Sequence, residues 1–313
     1  MALHHPTRRG VLKTGLAGAA AATLPAGFAT LGPAAALAFE IGDGALMTVS
    51  DGNLVLPLDF SYPDAPRDDL VALLADNGLP TDGFEPPLNV PLLRSGERVI
   101  LFDVGSGPNF MPSAGRLGDN LAAAGIDPAE VTDVVFTHAH PDHLWGLIDD
   151  FDELVFANAA YHMGRAEWDY WRDPGTVDAM PEARKSFAVG AQNRLGYLED
   201  MITLFEPGAE VLPGVEAVDT SGHTPGHMSF VLHGGGDPVL IAGDALLHHL
   251  ISFEHPKWPS GSDQNPEQGI ATRLQLLDRL VADKVRVTAY HLPEPGKGRV
   301  ERDGDAFRYV AST

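Results

Sequence analysis

Residues 134–146 read VVFTHAHPDHLWG, an apolar β-branched run that stops and is followed at once by His138, His140, Asp142 and His143. A run of that composition is a buried strand. Extended backbone just past it sends His138 and His140, two positions apart, to one face. Pro141 and the start of a helix at LWGLIDD then bend the chain back, so that Asp142 and His143 join them. Imidazole and carboxylate on one short turn form the donor set of zinc and similar divalent ions. The feature restricts the chain to folds in which buried strands end at a common edge and deliver further ligands there.

Further candidates follow downstream, each closing an apolar run. DTSGHTPGHMSF carries His223 and His227, VLIAGDALLHHL carries Asp244, and VTAYHLPEPG ends on a strand with His291. Singly each has an ordinary structural use, since a strand-end Asp often caps a helix and a lone His often sits satisfied in a core. Jointly they mark the strand-end edge at which α/β proteins assemble their sites.

The rest of the chain reads as two strand-rich portions, each followed by helices, which predicts two sheets with helices outside them. NVPLLRSGERVILFDVG is a hairpin turning at Ser95-Gly96, and AGRLGDNLAAAGI is a helix stopped at Gly125. The spacing through PEARKSFAVGAQNRLGYLEDMITLF predicts one long helix, and NPEQGIATRLQLLDRLVAD predicts another.

Residues 1–38 stand apart. Thr7-Arg8-Arg9 precedes Val11-Leu12-Lys13 and a long Ala/Gly/Leu stretch without one acid, closing on Ala36-Leu37-Ala38. That pattern resembles a twin-arginine export signal cut after Ala38, which predicts a periplasmic or secreted protein with one domain over 39–313. It also predicts no stable membrane association after cleavage. Cysteine is absent, so an exported form has no disulfides and no thiolate metal site. The formal net charge of −22 argues against nucleic-acid partners and leaves a small molecule as the expected partner, with a homodimer open.

H-x-H-x-D-H at 138–143, then G-H-T-P-G-H at 222–227, then Gly243-Asp244 and the late His291, resembles the metallo-β-lactamase fold hydrolases over residues 45–310. The resemblance implies an αββα four-layer sandwich, two mixed sheets flanked by helices. It implies that His138, His140 and His223 hold one divalent cation, that Asp142, His143 and His291 hold a second, and that Asp244 bridges them. Asp103, in LFDVGSG, would orient the ligand loop from behind, and His227 would be structural or supporting. The implied chemistry is hydrolysis of a small ester, lactone or phosphotriester by a water that two cations share and activate, with Asp142 and Asp244 as the catalytic carboxylates. Zinc is the expected cation, with manganese, iron(II) or cobalt able to take the same donors.

VFANAAYHMGRAEWDYW, GDALLHHLISFEHPKW and YHLPEPGKGRVERDGDAFRYV are most similar to the methyl parathion hydrolase and quorum-quenching lactonase group. On that resemblance Trp168, Tyr170, Trp171, His248, His249 and Phe253 would line the substrate mouth. The group's lactonases place a Tyr three residues after the bridging Asp; Leu247 stands there, followed by His248 and His249. Two other readings remain: a metal-binding member of the fold without turnover, and a mono-iron sulfur dioxygenase.

Overall fold

The alternation of side-chain faces explains both sheets. In the computed structural model, which describes residues 39–312, strand Pro87–Ser95 turns Leu88, Val90 and Leu92 to one core and Leu93 to another. Strand Arg98–Phe102 does the same with Val99 and Leu101 against Ile100 and Phe102. A strand covered on both faces has no polar side to show, which is why these segments read as unbroken apolar runs.

The first sheet has seven strands in the order Phe39–Ile41, Gly44–Asn53, Pro87–Ser95, Arg98–Phe102, Asp133–Val135, Ala160–Gly164 and Ile202–Phe205. Its first four run antiparallel and the remainder parallel. The second orders Glu210–Leu212, Val215–Asp219, Met228–Leu232, Val239–Ile241, Arg286–Thr288, Lys297–Asp303 and Ala306–Ala311, with one parallel pair, Val239–Ile241 beside Arg286–Thr288. Leu46, Phe102 and Val135 of the first sheet pack with Ala217, Phe230 and Ile241 of the second in one core. Outside the first sheet lie helices Leu117–Ala123 and Lys185–Gly196, which contribute Leu121, Ala188 and Leu195. Outside the second lies Pro266–Ala282, which contributes Leu276, Leu277 and Leu280. These are the four layers expected from the sequence.

The helix Pro266–Ala282 starts where the sequence says it should, with Asn265 Oδ1 accepting from Gln268 N at 3.2 Å and proline at its first position. The Ser95-Gly96 turn is likewise found, Gly96 at φ +59°. The long helix expected across 181–205 is not one element. A single 3-10 turn, Glu182–Arg184, precedes Lys185–Gly196, and Ile202–Phe205 becomes the edge strand of the first sheet, parallel to Ala160–Gly164. Its β-branched and aromatic residues find a pleated neighbour there, and that contact overrides the helical spacing.

An excursion between the second and fifth strands in chain order, residues 54–86, forms its own small core of Leu58, Tyr62, Leu70 and Leu74 with Ile251. It carries the short strand pair Leu56–Pro57 and Gly83–Phe84 and helix Arg67–Asp76. Residues 1–38, and with them the expected export signal and the cut after Ala38, lie outside the described residues. Among the described residues no helix is long and apolar enough to cross a membrane.

Candidate metal centre

Four turns converge where the two sheets meet. The turn after Asp133–Val135 belongs to the first sheet and supplies His138, His140, Asp142 and His143. The turns before Met228–Leu232 and after Val239–Ile241 and Arg286–Thr288 belong to the second and supply His223, Asp244 and His291. Three of these four turns follow the carboxyl ends of parallel strands, where α/β sheets gather their ligands. All seven residues are at most 8% exposed.

Their atoms fall into two groups that share one residue: His138, His140, His223 and Asp244; and Asp142, His143, Asp244 and His291. In the first, His140 Nδ1 lies 3.1 Å from His138 Nε2 and 2.8 Å from His223 Nε2, and Asp244 Oδ2 is 3.2 Å from His223 Nε2. In the second, Asp142 Oδ2 is 3.4 Å from both His143 Nε2 and His291 Nε2. Asp244 reaches both groups, with Oδ1 3.2 Å from His143 and Oδ2 3.2 Å from His291. The backbone before Asp244 is constrained too: Gly243 sits at φ +54°, and a Cβ there would stand 2.7 Å from His227 Nε2.

Hydrogen bonding on the far side of four of the five rings decides what points inward. Thr137 Oγ1 donates to Asp103 Oδ2 (2.7 Å), so it accepts from His138 Nδ1 at 3.0 Å. His143 Nδ1 donates to Asp103 Oδ2 (2.8 Å), His223 Nδ1 to Asp263 Oδ1 (3.1 Å), and His291 Nδ1 to the Pro87 carbonyl (3.1 Å). Four of the five imidazoles are thereby held as tautomers whose Nε2 lone pair faces the centre. Lone pairs and carboxylates crowd together without donors between them, and the buried atoms Asp142 Oδ2, His143 Nε2 and Asp244 Oδ1 have no hydrogen-bond partner. Such a cluster fits two divalent cations; without them, protons must take their place. Burial lowers the basicity of His223 and His291, but the facing carboxylates outweigh it and push them up to about 9 and about 10. Burial would raise Asp142 and Asp244, yet the imidazoles around them hold both below the usual carboxylate range.

Asp103 takes the supporting role expected of it. It adopts φ +66°, a left-handed conformation rare outside glycine, and its carboxylate also accepts from Thr137 N at 2.7 Å. His227 is not part of either group. Its Nε2 accepts from Asp244 N at 3.0 Å and its Nδ1 meets Thr220 Oγ1 at 2.8 Å, so it fixes the backbone of the shared carboxylate.

Other supports were not read from the sequence. Asp263 lies in an ordinary polar loop, 40 positions from the histidine it orients, and is itself held by Arg273 at 3.0 Å. Tyr290 Oη donates to the Asp142 carbonyl at 2.8 Å, and Asn89 Nδ2 bonds the carbonyls either side of His291. An aromatic residue immediately before a ligand was the only hint of the Tyr290 bond.

A cleft opens over the two groups, with His140, Asp142, His223, Asp244 and His291 on its floor. Leu54, Leu56 and Phe84 come from the 54–86 excursion, Phe110 and Phe187 face them, and Leu247 and His248 close one end. The structure corrects the expected mouth here. Trp171 is fully buried behind the floor, its ring 5.8 Å from that of His140, and Trp168 and Tyr170 pack on the same core. Phe253 is buried under the second sheet against Tyr309. All four sit on helices whose apolar face turns to a core. His249 stacks on His248 and stays off the cleft surface. Only His248 of the expected set lines it.

Comparison with known proteins agrees with this geometry. Residues 86–290, more than half of the chain, match the model of the metallo-beta-lactamase superfamily. The chain is 31% identical over 131 residues to the N-acyl homoserine lactonase AttM of Agrobacterium fabrum, covering 41% of this chain and 46% of that protein. It is 27% identical over 160 residues to a hydroxyacylglutathione hydrolase of Fuscovulum blasticum, covering 51% of each. The chain thus spans about half the length of these curated relatives. Among solved structures, AidC, a dizinc quorum-quenching lactonase seen with a product homoserine, superposes with TM-score 0.84 at 26% identity, covering 88% of this chain and 97% of AidC. The hydrolase AbOPH superposes with TM-score 0.82 at 25% identity over the same shares.

Proposed function

The chain belongs to the metallo-beta-lactamase superfamily, and on that premise we propose that it is a metal-dependent hydrolase of small esters, acting first on a lactone that bears an apolar side chain. The observation that carries this reading is a complete donor set for two cations directly beneath an apolar cleft. His138, His140, His223 and Asp244 would hold one cation, and Asp142, His143, His291 and Asp244 the other. Zinc is the ion we assign, by analogy with the dizinc relative. When bound, such a pair supplies Lewis acidity and brings a water's pKa toward neutrality.

The chain's own residues supply the rest. Leu54, Leu56, Phe84, Phe110 and Phe187 take the apolar side chain out of water, worth about 25 cal/mol per Å² of apolar surface, and exclude bulk water from the ester. Asp142 on the floor accepts the proton released as water adds to the carbonyl carbon, and returns it to the alcohol oxygen as the C–O bond breaks. One water is consumed and one hydroxy acid leaves. Among the described residues the cleft presents a single guanidinium, Arg184, which is engaged with the Gly261 carbonyl and lies 5.4 Å from the centre of the Phe60 ring. A wall so poor in cations favours a neutral lactone over a glutathione thioester with its two carboxylates.

The protein stripped by chelator and reloaded with zinc tests the proposal on a panel of N-acyl lactones, aryl esters, phosphotriesters and hydroxyacyl-glutathione. Metal-dependent lactone turnover, strongest with apolar side chains, is the expected result. Two tightly bound cations with no turnover across the panel would leave only a metal-binding protein. Iron content with oxygen uptake on a persulfide would instead establish the dioxygenase reading. Export follows as part of the same proposal, supported by the basic start and by Ala36-Leu37-Ala38; Arg8→Lys with Arg9→Lys should retain the chain inside the cell on fractionation.

A further inference from the structure

Glu167 is a fully buried carboxylate that belongs to neither cation group and, among the described residues, forms no ion pair with a basic side chain. Four donors meet it instead. Its Oε1 accepts from Ala139 N at 2.8 Å and from Trp171 Nε1 at 2.6 Å; its Oε2 accepts from Thr224 Oγ1 at 2.7 Å and Gly226 N at 3.1 Å. Ala139 stands between the ligands His138 and His140, and Thr224 and Gly226 follow the ligand His223. One carboxylate therefore joins a turn of the first sheet to a turn of the second. These are the two turns that furnish every imidazole of the first group and none of the imidazoles of the second except His143.

The approach is as tight as backbone allows. A Cβ on Gly226 would stand 2.0 Å from Glu167 N, so the G-H-T-P-G-H turn rests directly on the helix Arg165–Arg172 that carries the carboxylate. Burial pushes the Glu167 carboxyl up while its donors oppose this. Four N–H and O–H groups pointed at two oxygens leave no acceptor for an acidic proton, which favours the anion.

We infer that Glu167 is a positioning residue for the first cation group, a clamp that sets the spacing between His138 and His140 on one turn and His223 on the other. The inference rests on the two groups holding cations, and its test separates the two ideas. An imidazole set must be spaced to within a few tenths of an ångström of the ion's preferred distances, and supports behind the ligands tune affinity by about 10- to 100-fold. Glu167→Gln keeps the size of the side chain but replaces one acceptor oxygen with an NH₂ donor. Whichever way that amide turns, it confronts donors on one of the two turns.

Zinc affinity is to be measured by competition with a chromophoric chelator in two single-group backgrounds. His291→Ala leaves only the first group whole, and His140→Ala leaves only the second. Glu167→Gln should weaken zinc about 10-fold or more in the His291→Ala background and by less than about twofold in the other. Equal weakening in both, weakening mainly in the His140→Ala background, or no change in either overturns the clamp. Zinc binding in neither background overturns the cation reading itself and the clamp with it. Should Glu167→Gln fail to fold, Thr224→Val removes one of the four bonds and should weaken zinc about threefold in the His291→Ala background alone; parity between backgrounds overturns the inference just as firmly.

Discussion

The cleft joins two regions built on different physics. Its floor rests on the seven candidate ligands, each residue no more than 8% exposed, and four of the five imidazoles among them are set by a bond on the outer side. Its wall is largely apolar and drawn from several separate segments, and at the rim Phe60 is 37% exposed. A floor of directional bonds fixes positions to fractions of an ångström. A wall of apolar contacts sets only a volume, because burial is not directional and tolerates substitutions of like size. The floor therefore decides the chemistry, and the wall decides which molecule receives it.

Mutations should separate the two. His140→Ala empties a position in the first group and should cost about 1,000-fold or more in kcat/KM on every ester tested, seen in steady-state kinetics with zinc in excess. Retention of more than a tenth of the activity would place the chemistry elsewhere. Asp103→Asn leaves all seven side chains but replaces the carboxylate that holds Thr137 and His143, and should weaken metal retention about 10- to 100-fold in chelator competition.

On the wall, Phe84→Ala should raise KM about 10-fold for lactones with long apolar side chains while leaving kcat and short-chain substrates nearly unchanged. A uniform loss across chain lengths would erase the distinction between floor and wall. The smallest effect concerns His248, whose Nδ1 accepts from Leu250 N and Ile251 N, at 3.1 and 3.3 Å. Burial and then the neighbouring His249 lower it to about 3, so the folded protein keeps it neutral where the unfolded chain, near 6.5, takes a proton. The unfolded state binds the extra proton, so stability falls as pH drops from about 6.5 toward 3. Relative to the parent, His248→Asn should gain about 2 °C in Tm between pH 7.5 and 5 by calorimetry; an unchanged difference would show that the imidazole titrates freely.

The same contrast governs what a sequence discloses. His138, His140, Asp142 and His143 are legible because they crowd into one turn, and His223, Asp244 and His291 because each closes an apolar run. The four layers are legible because both faces of the central strands are apolar. Asp263 and Glu167 are not, since their partners lie 40 and 57 positions away and the words around them describe an ordinary loop and an ordinary helix. Trp171 and Phe253 mislead for a related reason. Nearness to a ligand in sequence says nothing about which side of a helix an aromatic ring takes, and both rings take the inner one. Residues 181–205 mislead because the edge of a sheet, not local spacing, claims Ile202–Phe205.

The seam between the sheets has a mechanical consequence. A chain with no cysteine has no covalent cross-link, yet His140 and His223, 83 positions apart, point at one spot, and His291 joins them there from further along. Ions seated at that spot would fasten the amino-terminal half to the carboxy-terminal half as a rivet does, closing long loops whose ends would otherwise wander. Depletion of the ions would then slacken the seam between the two sheets along one line, well beyond the pocket they serve.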